Sequence, residues 1–185
     1  QRHLKKGDVV LVDRTVSDPA MDYDRLFVGH EYFTDRETGN AWQPTRAVVD
    51  DPQFWEMIGF ALGDGYWPTL ARNSTHMGIF PHHTKDAELF DRFMKVCERH
   101  GINAHRVQIN KHHTRVTDGG QGYPAIHIQH VAFSRWLTEL GFAASNADRV
   151  IPAVLYRCPA WVRQAVMRGL FSADGHRAKH VTGYC

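Results

Sequence analysis

The sequence predicts an α+β protein, and three observations carry that reading. Two stretches with apolar residues at helical spacing each end in Asp-Gly: "FALGDG" at Phe60–Gly65 and "LFSADG" at Leu170–Gly175. Two more stretches of helical spacing end in glycine followed by an apolar residue, at Gly101-Ile102 and Gly141-Phe142. Between them lie short runs in which apolar and polar residues alternate, the period of a half-buried strand. The order is helix, strands, helix, strands, helix, and then a helix of the first kind again.

The elements follow in chain order. Lys6-Gly7-Asp8 reads as a turn before a strand at Val9–Val12. The polar stretch Pro19–Asn40 has no clear period and reads as loop or irregular strand. Asp51 can cap a helix, and Pro52 suits its first position. Phe54, Trp55, Ile58, Ala61 and Leu62 form its apolar stripe, and it stops at Gly63-Asp64-Gly65. Residues from Tyr66 to Phe80 read as one or two short strands. The next helix has Thr84 as its cap, Asp86 and Glu88 in its first turn, and Leu89, Phe90, Phe93, Met94 and Cys97 as its stripe. "AHRVQINKHHTRV" reads as a strand, Asp118–Gly122 as a turn, and "AIHIQH" as the partner strand. "VAFSRWLTELG" is a third helix. Both glycine-ended helices suit a Schellman cap, with the apolar residue closing a hydrophobic contact. After a linker through Ile151-Pro152, a fourth helix runs from Pro159 to Asp174-Gly175, with Trp161, Ala165, Leu170 and Phe171 marking its buried side.

The chain has 185 residues, 43% hydrophobic and 23% charged, an ordinary balance for a globular domain. No apolar run is long enough to span a membrane, no signal peptide is visible, and the expected compartment is cytoplasmic. Cys97, Cys158 and Cys185 are scattered and form no CxxC pair, which argues against a zinc ribbon or a disulfide framework. The net charge of +2 with pI 8.5 does not by itself prove nucleic-acid binding. Nine of the 13 histidines fall between His76 and His130, so a surface there gains positive charge as pH falls.

The Asp-Gly helices are an internal repeat. "MIGFALGDG" (Met57–Gly65) aligns with "MRGLFSADG" (Met167–Gly175) through Met, the inner Gly, the Asp and the final Gly. Asp64 and Asp174 lie 110 residues apart. Small residues four apart, Gly59 with Gly63 and Gly169 with Ala173, would let two backbones approach closely. If the helices pack side by side, their acid-bearing ends meet. Carboxylates at helix C-termini oppose the helix dipole. A divalent cation would remove that conflict, and carboxylate and carbonyl oxygens suit Mg²⁺. Two metal-bound acids beside a phosphodiester could activate water and stabilise the leaving oxygen. One such helix would read as a simple helix stop; two copies sharing the glycine and the acid read as a functional pair.

These two strings resemble the nonapeptide of LAGLIDADG, or dodecapeptide-type, homing endonucleases. "WVRQAVMRGLFSADG", with "RVIP" upstream, resembles the second motif of the versions nested in inteins. The resemblance covers Pro52 to the C-terminus. It implies an αββαββα half-saddle plus the start of the second motif helix, Mg²⁺-dependent cleavage of double-stranded DNA at a long site, and Asp64 and Asp174 as the catalytic, metal-binding acids. "LKKGDVVLVDR" resembles a strand of intein Hint domains. The expected organisation is therefore a Hint tail and linker at 1–50 and a truncated endonuclease at 51–185, inside a host protein. The splicing residues would lie outside this chain. The resemblance departs at two places. Family members often carry a lysine near the end of the last strand of each half, and "AIHIQHVAFSR" has none, leaving His127, His130 or Arg135 as substitutes. Leu62 and Ser172 replace the other motif acid.

The strands supply a candidate DNA surface. Alternation puts Arg106, Gln108, Asn110 and His112 on one face and Val107 and Ile109 on the other. Arg72 and His76, and His127 and Gln129, form similar polar sets. Arg, Gln and Asn are types that reach base edges in the major groove. The doublets His82-His83 and His112-His113 lack metal-ligand spacing. The rival class is a non-catalytic DNA-binding module; a third reading, an RNA-splicing maturase, sits poorly with the Hint-like start.

Overall fold

A computed structural model describes residues 18–27, 42–66, 76–79, 87–109, 123–142, 150–178 and 181–184. Its centre is the helix α3, Pro52–Asp64. Asp51 caps it, its carboxylate accepting from Gln53 N at 2.8 Å, and Pro52 occupies the first turn, where a missing N–H costs nothing. Eight residues from Phe54 to Leu62 are buried, so α3 is covered almost all round. It runs through Asp64, one residue past the Gly63 at which the sequence begins to signal a stop, and Gly65 leaves directly in extended conformation.

That exit starts a sheet. Strands β1 (Gly65–Tyr66), β2 (His76–Ile79), β3 (Ala104–Ile109) and β4 (Tyr123–Gln129) form one antiparallel sheet in the order β1-β2-β4-β3. Helix α4 (Ala87–Arg99) precedes β3, and α5 (Val131–Glu139) follows β4. The chain order is thus α3-β1-β2-α4-β3-β4-α5. Helix α6 (Ala160–Asp174) then leads directly into the hairpin β5 (Gly175–Ala178) and β6 (Val181–Tyr184). The repeat visible in sequence is therefore a repeat of structure, a helix ending in Asp followed by an antiparallel pair that starts on Gly.

Both glycine-ended helices close as expected. Ile102 N donates to Cys97 O at 2.8 Å and Gly101 N to Glu98 O at 3.2 Å; Phe142 N donates to Leu137 O at 3.0 Å and Gly141 N to Thr138 O at 2.9 Å. Gly101 and Gly141 have φ of 63° and 92°, the left-handed region that favours glycine. Ile102 and Phe142 are buried, which supplies the hydrophobic half of the motif.

The core is aromatic. Trp42, Phe54, Phe133 and Trp136 pack together, with Trp42 at 5.2 Å from Phe133 and 5.5 Å from Trp136 between ring centroids. Each buried indole N–H finds a backbone carbonyl: Trp42 to His100 O, Trp55 to Val49 O, and Trp136 to Leu26 O. Those last two acceptors belong to segments with no periodic signal. Within Pro19–Asn40, read from sequence as loop or irregular strand, lies the four-residue helix α1 (Tyr23–Leu26), and α2 (Arg46–Val49) lies just before Asp51. The linker through Ile151-Pro152 likewise leads into a 3-10 turn at Ala153–Arg157. Leu26, Trp42, Val48 and Val49 join the same core as α3. The expected strand at Val9–Val12, the cap Thr84 and the turn Asp118–Gly122 lie outside the described residues.

Candidate active site and nucleic-acid face

The contact between α3 and α6 is the largest between any two described elements. It is made backbone to backbone. A Cβ built on Gly59 would overlap the carbonyl oxygen of Val166 and lie 2.8 Å from that residue's Cα and carbonyl carbon. A Cβ on Gly169 would overlap the carbonyl oxygen of Glu56 and lie 2.5 Å from Phe60 N and 2.8 Å from the carbonyl carbon of Gly59. Real Cβ atoms do not come so close, so only glycine permits this approach. Ala173 packs against the core half-buried, and Gly63 sits half-buried in the last turn of α3. Trp55 is buried on another side of α3, with its indole on α2, and Trp161 is only partly buried.

The relative direction of the two helices follows from the segment 18–27, which touches the start of both. Asp18 accepts from Ala160 N, the first residue of α6, at 2.7 Å, and from Arg163 at 3.3 Å. Tyr23 donates to both carboxylate oxygens of Asp50, next to the cap of α3, at 2.8 and 2.9 Å. The charge of Asp22, beside Tyr23, also acts on Cys158, just before α6. Burial pushes the Cys158 thiol up to about 11; Arg163 opposes that shift and Asp22 adds to it. A helix of 13 residues is about 20 Å long. One short segment serving both N-termini fits a parallel pair. In that arrangement both C-termini emerge at the far end of the pair.

From the glycine contact, each backbone reaches its acid after five residues: Gly59 to Asp64 and Gly169 to Asp174. That is about 7.5 Å along each axis. Asp64 is exposed. Neither helix has a basic residue in its last turn, so no cation on the helix itself offsets an acid against the dipole. An aspartate ends each helix, and carboxylate oxygens are hard donors of the type that Mg²⁺ takes. Among the described residues no group of three or more His, Cys, Asp or Glu gathers as a metal site.

α6 departs from its repeat on the outside. Met167 and Phe171 are 41% and 37% exposed and line a shallow groove with Glu56, Gln164, Arg168 and Ser172. Their counterparts one repeat earlier, Met57 and Ala61, are fully buried, Met57 with its sulfur 3.7 Å from that of Cys97 on α4.

The strand faces require a correction. Residues paired across an antiparallel ladder point to the same side. Arg106 pairs with Ile126, and Ala104 with Ile128, both fully buried. Arg106 also meets Asp91 of α4 at 2.6 Å and lies over the Phe90 ring at 5.0 Å. Arg106 thus belongs to the helix-covered side, not to the open face expected for it. Gln108, two positions on and paired with Pro124, shares its place in the alternation. Alternation shows two faces but not which of them is open. The helix side accepts Arg106 because its stem can lie on Phe90 while its guanidinium finds a carboxylate at the rim.

The other alternation set is mixed, with Ala125 buried and the positions near Gln129 more open. His105 is exposed, Val107 and His127 are half-buried, and Gln129 is exposed. His105 pairs directly with His127, and His76 with Gln129. His105 Nε2 lies 3.1 Å from Gln129 Oε1. His105 was missed because it falls out of phase with the arginine that looked like a base reader. His127, Gln129 and His76 remain in the open register. His130 is a buried helix-start residue against Trp42, whereas Arg135 is exposed on α5. Arg72, Asn110 and His112 lie outside the described residues.

No family model matches the chain. It is similar to a DNA polymerase from Thermococcus litoralis, 28% identical over 125 residues, covering 66% of this chain and 6% of the polymerase. It is also similar to a DNA polymerase from Thermococcus sp. (strain GE8), 24% identical over 136 residues, covering 70% of this chain and 7% of the polymerase. The chain thus spans under a tenth of the length of the curated relatives it matches. No described helix is long and apolar enough to cross a membrane.

Proposed function

We propose that this chain is the endonuclease part of an intein, a LAGLIDADG-type enzyme that cuts double-stranded DNA at a long site with Mg²⁺. The observation that carries the reading is the glycine-mediated packing of α3 and α6, which brings Asp64 and Asp174 out five residues beyond one shared contact. The element order α3-β1-β2-α4-β3-β4-α5, followed by a second Asp-ended helix and hairpin, supports the half-saddle of that family. Exposed Met167 and Phe171 support a second unit over α6, where the first repeat is covered. The relatives named as DNA polymerases match over a small fraction of their length. That is what a segment inserted into a host protein would give.

In this reading Asp64 and Asp174 hold the cation from the two helix ends. The cation, when bound, supplies Lewis acidity to the scissile phosphate and lowers the pKa of a coordinated water. The glycine contact sets the spacing of the acids, and the open sheet face holds the duplex. The deciding experiment is cleavage of a DNA library carrying candidate insertion sites by the intein in its host frame. Asp64→Asn and Asp174→Asn should each abolish Mg²⁺-dependent cleavage and leave DNA binding largely intact. Undiminished cleavage by both variants would sink the assignment. A second reading, a DNA-binding module without cleavage, is favoured by the lack of a lysine in β4. Binding with no cleavage by the wild type would select it.

A further inference from the structure

We propose that Asp18 is a positioning residue for the Asp64 and Asp174 pair: it caps α6 from 142 residues upstream and fixes how α6 crosses α3. This rests on the function proposed above. The two repeats start differently. α3 is capped by its own neighbour, Asp51, which accepts from Gln53 N. α6 is preceded by Pro159, which has no side-chain acceptor; its carbonyl takes the N–H groups of Val162 and Arg163. The Ala160 N–H is taken instead by the Asp18 carboxylate, at 2.7 Å. The same oxygen meets Arg163 at 3.3 Å. Both of these charged side chains are partly open to solvent, so their ion pair adds little and the cap is the stronger hold.

Asp18 is itself held. Five residues on, Tyr23 donates to both carboxylate oxygens of Asp50, beside the α3 cap. Leu26 is buried in the core, and its carbonyl accepts from Trp136 of α5 at 2.6 Å. The strap 18–27 therefore joins the starts of α3 and α6 to a fixed point on α5. The glycine contact further along is backbone on backbone, so it works as a pivot. Asp18 grips α6 at Ala160, nine residues before Gly169, and Asp174 follows five residues after that glycine. Those spans are about 13.5 and 7.5 Å of helix, so about 2 Å of slack at the start gives about 1 Å at the acid. Misplacement on that scale can lower a rate by up to about a hundredfold.

The test places nitroxide labels at Asp64→Cys and Ser172→Cys, near the two helix ends, in the full chain carrying Cys185→Ser. Buried Cys97 and Cys158 stay unlabelled. The distribution of label-to-label distances, read by electron spin resonance, should broaden in Asp18→Ala. Asp18→Asn keeps an oxygen for the Ala160 N–H and should restore the wild-type distribution. Tyr23→Phe, which frees the other end of the strap, should broaden it too, and serves if Asp18→Ala misfolds by circular dichroism. In the cleavage assay above, with both acids native, Asp18→Ala should lower kcat about tenfold and change KM for DNA by no more than about twofold, with Asp18→Asn near wild type. A wild-type distribution in both Asp18→Ala and Tyr23→Phe, no rescue by Asp18→Asn, or an unchanged kcat in Asp18→Ala overturns the proposal. No cleavage by wild type overturns the proposed function, and the distances then decide the tie alone.

Discussion

Gly59→Ala sets two opposing effects against each other, and the sign of the result reports the packing. In an isolated helix the change would stabilise, by about 1 kcal/mol, because alanine loses less backbone freedom on folding. Here the new methyl would overlap the carbonyl oxygen of Val166, with two further backbone atoms of that residue at 2.8 Å. Backbone cannot rotate away as a side chain can, so α6 must move off α3. Overpacking costs about 1–3 kcal/mol, and a backbone obstacle belongs at the upper end. The net is a loss of about 2 kcal/mol, or roughly 4–8 °C in Tm for a chain of this size. Urea unfolding and a thermal scan would measure it. Gly169→Ala meets the same kind of obstacle at Glu56 and Phe60. Because both methyls force open one contact, the double variant should lose clearly less than the sum of the singles. Under the proposed function, displaced helix ends should also lower cleavage in either single variant, although no acid has been removed. A neutral or stabilised Gly59→Ala would refute the close approach, and with it the physical reason for Asp64 and Asp174 sharing a site.

Three further outcomes are expected. Asp51→Ala should cost about 2–4 kcal/mol in urea unfolding, since it removes the α3 cap and strips partners from nearly buried His100, at 2.8 Å, and from Arg99, at 3.1 Å. A loss under about 0.5 kcal/mol would contradict that network. Arg106→Ala should change stability by under about 1 kcal/mol, because its ion pair with Asp91 is open to solvent, and should not alter base preference in a DNA selection. Burial pushes the Cys97 thiol from its usual 9.0 up to about 12. The folded protein should therefore resist thiol labelling at Cys97 near pH 8. An unfolded chain loses that proton near pH 9 while the folded one holds it, so Cys97 makes stability fall as pH rises between about 9 and 12. Cys97→Ala should flatten that part of an alkaline unfolding curve.

Local chemistry was enough to read the four long helices and several of their ends. Asp51-Pro52 marks a start, Gly101-Ile102 and Gly141-Phe142 mark stops, and both depend only on neighbours within one or two turns. The repeated inner glycine and acid were equally legible, because a close helix contact needs small residues at helical spacing whatever surrounds it. The tertiary structure alone decided the rest. α1 and α2 have four residues each, too short to offset the cost of helix nucleation. They exist because Trp136 and Trp55 seek their carbonyls and Leu26, Val48 and Val49 find a core. The starts of α3 and α6 are tied together by Asp18 and Tyr23, more than 20 residues before α3. The open face of the sheet was decided by which side α4 covers. Alternation in sequence separates two faces but carries no mark of which is buried, and Arg106 could satisfy its charge on either side. Phe90 and Asp91, brought in by the fold, hold it on the α4 side and leave His105 exposed on the other.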